Sequence, residues 1–108
     1  MEAIKQIGGD KLMIIQPKIH GVFCLNAHPT GCRLNVERQA EYAVSAAKKI
    51  RFVNALVIGA STGYGLASRI ALGLGCGIPT IGAFLEREPQ ENRTASAGWY
   101  NTAAFSDL

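Results

Sequence analysis

The clearest chemical signal in the sequence is GASTGYG, residues 59–65, with glycines at Gly59, Gly63 and Gly65. Each glycine has a job that a side chain would obstruct. Gly59 lets the chain turn as it leaves a hydrophobic run, and Gly63 lets the backbone come close to a pyrophosphate. Gly65 lets the following helix pack tightly against its sheet. The start of that helix offers unpaired N–H groups and a partial positive charge, which suit a phosphate. Ser61 and Thr62 can add hydroxyl donors. The chemistry implied is dinucleotide binding.

Glu86 follows at the end of the next apolar run, where a carboxylate can accept hydrogen bonds from an adenosine ribose and repel a 2′-phosphate. That favours NAD over NADP, although Arg87 beside it can pair with a 2′-phosphate, and at Glu86 itself a plain surface charge is the alternative. Cys24, His28 and Cys32 recur at intervals of four. A metal site would need a fourth ligand and a more compact spacing, and His20 and Cys76 are the remaining candidates, so no metal is expected. A nucleophilic Cys–His pair would lack a third, orienting group. Trp99 and Tyr100 could meet a ligand, but core packing with one polar tip is the reading preferred.

The elements that must position the turn follow from hydrophobic periodicity. Ala55–Ile58 is a continuous apolar run, as in a parallel strand buried on both faces. After the turn, Leu66, Ile70 and Leu74 fall four apart with Ala67 and Ala71 beside them, a helix that Gly73, Gly75 and Gly77 end. Residues 79–85 read as the next strand, which completes a βαβ unit of right-handed crossover. Upstream, 12–17 and 20–26 are strand candidates, and residues 1–11 form a loose leader closed by the Gly8-Gly9-Asp10 turn signal. AHPTGC (27–32) reads as a loop. From Arg33 to about Ile50, Val36, Ala40, Ala43, Val44, Ala47 and Ile50 form the apolar stripe of an amphipathic helix. Residues 87–96 are a polar loop, and 98–105 open a last helix. The fold class expected is α/β: a partial Rossmann-like parallel sheet with an N-terminal pair of short strands and an amphipathic helix. Residues 1–12 form an extension and 13–108 the domain.

Composition sets the bounds. With 108 residues, 48% hydrophobic and 18% charged, the chain suits one small domain and neither disorder nor a coiled coil. The net charge is +3, with eight basic and four acidic side chains in 1–51 against three and four in 52–108. That bias forms no dense basic stripe, so no nucleic-acid role is expected. Three cysteines without a CxxC pair point to reduced thiols in the cytoplasm. Residues 1–12 lack the apolar core of a signal peptide, and the uncharged stretch Ile70–Leu85 is broken by Pro79, so no membrane span is expected.

Four separated motifs then narrow the reading: MIIQPKIHG (13–21), CLNAHPTGC (24–32), VIGASTGYGLASRIA (57–71) and GWYNTAAF (98–105). In this order and spacing the chain resembles the N-terminal part of the trans-2-enoyl-ACP/trans-2-enoyl-CoA reductases, single-chain NADH enzymes related to short-chain dehydrogenases. The resemblance implies NADH-dependent reduction of the trans-2 double bond of an enoyl-ACP or enoyl-CoA thioester in fatty-acid synthesis. It puts the pyrophosphate loop on Gly59, Ala60, Ser61, Thr62, Gly63 and Tyr64. The family's strand-end adenosine contact, commonly Phe-Glu, falls on Leu85 and Glu86, with leucine replacing the aromatic.

The family's catalytic tyrosine and lysine match none of Tyr42, Tyr64 or Tyr100, so no catalytic residue is nominated. The resemblance therefore implies a truncated reductase segment, inactive alone. Alternatives are a non-catalytic nucleotide-binding fragment or an inactive remnant. An uncovered sheet edge would invite self-association and leave the isolated chain marginally folded.

Overall fold

A computed structural model describes residues 3–7, 11–21, 23–24 and 26–108 of the chain. Strands β1 (Ala3–Ile7) and β2 (Lys11–Ile15) pair antiparallel, with Ala3 opposite Ile15 and Ile7 opposite Lys11. The expected loose leader is thus corrected to the first arm of a hairpin. Two strand-forming runs flanking a glycine-rich triplet are a hairpin signal, not a leader ending in a turn. The triplet, residues 8–10, lies outside the described residues. The candidate strand over 20–26 contracts to two-residue arms, β3 (Ile19–His20) and β4 (Phe23–Cys24), folded back antiparallel around Gly21. Val22 and Leu25 of that candidate also lie outside the described residues.

Helix α1 (Pro29–Ala46) begins earlier than the periodicity indicated, and the expected AHPTGC loop becomes its cap and first turn. His28 Nδ1 accepts the Gly31 N–H at 3.0 Å, and Pro29 takes the first helical position, where its missing N–H costs nothing. The helix stops at Ala46 because Ala47 turns extended, with ψ of 136°. Of the predicted stripe, Val36 and Ala40 are buried, Val44 is exposed, and Ile50 lies beyond the helix.

β5 (Ala55–Ile58), α2 (Gly63–Ile70) and β6 (Thr80–Ala83) form the expected βαβ unit, its strands parallel with Ala55 opposite Thr80 and Ile58 opposite Ala83. α2 continues through a π-helical turn, Ala71–Gly75, closed by the Cys76 N–H on the Ala71 carbonyl at 2.9 Å. β6 is shorter than the 79–85 expected, leaving Phe84 and Leu85 beyond the pairing. α3 (Ala97–Ser106) completes the described chain.

The core is helical. Val36 and Ala40 of α1, Leu66 and Ile70 of α2 and Ala104 of α3 bury one another, with Ala43, Leu74 and Phe105 packed alongside. The sheet offers this layer only one face, the half-buried Ala55, Val57, Thr80 and Gly82. Leu56, Ile58 and Ile81 on the other face are exposed. A strand buried on both faces was expected. The correction has a simple cause: the described helices lie on one side, and an apolar strand is covered only where a second layer reaches it.

Candidate functional site

The glycine turn leaves β5 at Gly59, whose φ of 76° is left-handed, and Gly63 opens α2 with φ of 53°. A side chain at either position would be strained by its backbone alone. A Cβ placed on Gly63 would meet nothing within 4 Å, so the space over that peptide is open. Gly65 is constrained differently, because a Cβ there would fall 1.9 Å from the Gly59 carbonyl oxygen. The turn is tied to the sheet by the Gly59 and Ala60 N–H groups, which both donate to the Ala83 carbonyl, at 2.8 and 3.2 Å. The first hydrogen bond inside α2 runs from Leu66 N–H to Thr62 O at 3.1 Å. The amides of Gly63, Tyr64 and Gly65 precede it and are the unpaired donors of a helix start.

Ala60 and Ser61 are buried, at 2% and 5% exposure. Ser61 donates its hydroxyl to Glu86 Oε1, and Ser96 donates its own to Glu86 Oε2. The carboxylate also crowds the start of α3, since a Cβ on Gly98 would lie 2.0 Å from Oε1; a negative charge is favourable at a helix N-terminus. Asn101, buried in α3, donates Nδ2 to the Ser61 carbonyl at 3.0 Å. Ser61 has one hydroxyl proton and gives it to Glu86, so it does not serve as an outward hydroxyl donor. Thr62 is exposed, and its side chain makes no capping bond.

Hydrogen bonds therefore tie Gly59 and Ala60 to Ala83 and Ser61 to Glu86, while Tyr64 and Leu85 stand in solvent at 95% and 97% exposure. Sequence reasoning missed Asn101 and Ser96. Asparagine is a poor former of helix interiors, so its place inside the GWYNTAAF helix was the available sign of a tertiary partner. Ser96 sat unremarked at the end of a polar loop. That loop closes on itself through Ser96 N–H to Arg87 O at 3.1 Å and Arg87 N–H to Ser96 Oγ at 3.0 Å.

Beyond Glu86, a recess of about 310 Å³ is lined by Glu86, Arg87, Glu88, Gln90, Arg93 and Trp99. Trp99 remains 39% exposed, whereas Tyr100 is half-buried with its hydroxyl accepting the Ala95 N–H at 3.0 Å. Core packing with a polar tip thus describes Tyr100 and not Trp99. Arg69 reaches beneath the sheet, donating Nε to Thr80 Oγ1 at 3.2 Å with its guanidinium 4.4 Å from the Phe105 ring. Within CLNAHPTGC, His28 is engaged in capping α1, and partial burial pushes the Cys32 thiol above its ordinary pKa. Among the described residues no helix is long and apolar enough to cross a membrane.

The family model for the NAD(P)H binding domain of trans-2-enoyl-CoA reductase matches residues 14–91. The enoyl-acyl-carrier-protein reductase (NADH) of Erwinia tasmaniensis is 53% identical in an alignment of 102 positions that covers 89% of this chain and 24% of that protein. The trans-2-enoyl-CoA reductase (NADH) of Ruminiclostridium cellulolyticum is also 53% identical, again over 89% of this chain and 24% of its own length. Among solved structures, the trans-2-enoyl-CoA reductase of Treponema denticola in complex with NAD superposes with a TM-score of 0.77 at 45% identity, covering 88% of this chain and 25% of that one. The chain spans about a quarter of the relatives it matches.

Proposed function

The chain belongs to the family of the NAD(P)H binding domain of trans-2-enoyl-CoA reductase, and from that premise we propose that it is the N-terminal cofactor-binding part of an NADH-dependent enoyl-ACP or enoyl-CoA reductase. The observation that carries this reading is the open Gly63 peptide at the start of α2, with the amides of Gly63, Tyr64 and Gly65 ahead of the first intrahelical bond. Backbone amides of this kind suit a pyrophosphate without any side-chain chemistry.

In this reading Gly59, Ala60, Ser61, Thr62, Gly63 and Tyr64 form the pyrophosphate loop, and Leu85 and Glu86 meet the adenosine side. Each Glu86 oxygen takes one serine hydroxyl and keeps a second lone pair for a ribose hydroxyl. Bound NADH supplies the hydride that saturates the trans-2 double bond of the fatty acyl thioester, in fatty-acid synthesis. The residues of this chain bind and orient the dinucleotide. They do not supply the proton donor, because none of Tyr42, Tyr64 and Tyr100 matches the family's catalytic segment, so the segment alone is inactive. The free thiols of Cys24, Cys32 and Cys76 support a cytoplasmic setting. The exposed Leu56, Ile58 and Ile81 support self-association at the uncovered sheet.

Titrating the 108-residue chain with NADH while following nicotinamide fluorescence tests the proposal. Saturable binding, competed by NAD, is expected. No saturable change up to millimolar NADH would overturn it.

A further inference from the structure

The cofactor reading gives the glycine turn its donors but does not say what aims them. Ser61 is a buried residue inside an irregular turn, so its carbonyl has no strand or helix partner of its own. That carbonyl is satisfied from 40 positions away by Asn101 Nδ2 of α3, at 3.0 Å. A planar trans peptide sets its C=O and N–H in opposite directions. The carbonyl of Ser61 and the amide of Thr62 belong to the same peptide unit. Turning the carbonyl inward to Asn101 therefore turns the Thr62 N–H away from Asn101, directly ahead of the Gly63, Tyr64 and Gly65 amides in the chain.

From this geometry we infer that Asn101 is a positioning residue for the pyrophosphate loop, acting through the Ser61–Thr62 peptide, with Glu86 and Ser96 as the second tether of the same clasp. The inference rests on the cofactor reading above. Two tethers reach Ser61 from outside the turn: Asn101 holds its carbonyl, and Glu86 holds its hydroxyl. Glu86 is in turn held by Ser96, next to the start of α3. α3 thus fixes the orientation of a loop to which it contributes no residue, and the donors are set before any phosphate arrives.

A role in positioning differs from a role in folding by what it does to parts of the ligand. The full chain and its Asn101→Ala variant are titrated with NADH, ADP and adenosine, with circular dichroism reporting the fold. The expected result is that the variant binds NADH and ADP about tenfold more weakly, the order expected for one oriented hydrogen bond, while adenosine binding is unchanged. The NMR order parameters of the Thr62, Gly63 and Tyr64 amides fall in the variant, and those in the middle of α1 do not change. A folded variant with an unaltered ratio of ADP to adenosine affinity overturns the inference. If Asn101→Ala does not fold, Asn101→Ser keeps a polar group that is too short to reach the carbonyl, and the same ratio is read. If the wild-type chain itself binds neither NADH nor ADP, the cofactor reading fails. The positioning role is then decided by the amide order parameters alone, and equal values at Thr62 and Gly63 in wild type and variant overturn it.

Discussion

On one side of the β5–β6 pair, Leu66 and Ile70 are 3% and 1% exposed against Val36, Ala40 and Ala104; on the other, Leu56, Ile58 and Ile81 are 65%, 81% and 70% exposed. The residue types are nearly the same. What differs is the presence of a helical layer, and that decides which side chains hold the fold and which only decorate it. The glycine turn belongs to the covered side. Its anchors, Asn101 and the Ser61–Glu86 bond, come from that side or from the strand end beside it.

The comparison can be broken most directly with matched truncations. Ile70→Ala should cost about 2–5 kcal/mol, a large part of a small domain's total stability, whereas Ile58→Ala should stay within about 0.5 kcal/mol of wild type. Urea unfolding midpoints check both, and equal costs would mean that the two faces are not distinct. Next in size is Gly65→Ala. Its Cβ would collide with the Gly59 carbonyl, so the turn must move, at about 1–3 kcal/mol and with loss of NADH binding in fluorescence titration.

Smaller in stability but sharper in diagnosis is Ile58→Lys. A charge on the open face should leave the melting temperature near the wild-type value while shifting sedimentation velocity profiles toward the monomer. The smallest effect concerns pH. Burial raises the Cys32 thiol pKa, so the folded state keeps its proton longer than the unfolded chain does. Its contribution is fully present below the ordinary thiol value of 9.0 and is lost as pH rises through the folded value. Cys32→Ala should therefore lose less stability than wild type between pH 8 and pH 10, read from urea midpoints at each pH.

Much of the positioning scaffold was legible because it is local. The run Ala55–Ile58, the glycine turn and the Leu66/Ile70 spacing each carry their own periodicity, and the parallel βαβ unit follows from them. The start of α1 was misread because Pro29 and Gly31 look like loop residues, although proline is welcome at a first helical position. The exposure of Leu56 and Ile58 was not legible, since an apolar run does not say how many layers cover it. The tertiary tethers were the least visible: Asn101 and Ser96 have polar side chains whose partners lie far along the chain, and no short-range pattern encodes such a meeting.

That long-range bond also sets a timetable. β5, the turn and α2 are contiguous and can form as soon as their residues are free to move, but the Ser61 carbonyl waits for a helix whose asparagine is 40 residues later. Closing that larger loop carries a greater entropic cost than closing the turn itself. As the chain leaves the ribosome, the glycine turn is thus outlined early and tethered late. The moment at which its Ser61 carbonyl gains a partner is set by the arrival of α3, not by the completion of its own seven residues.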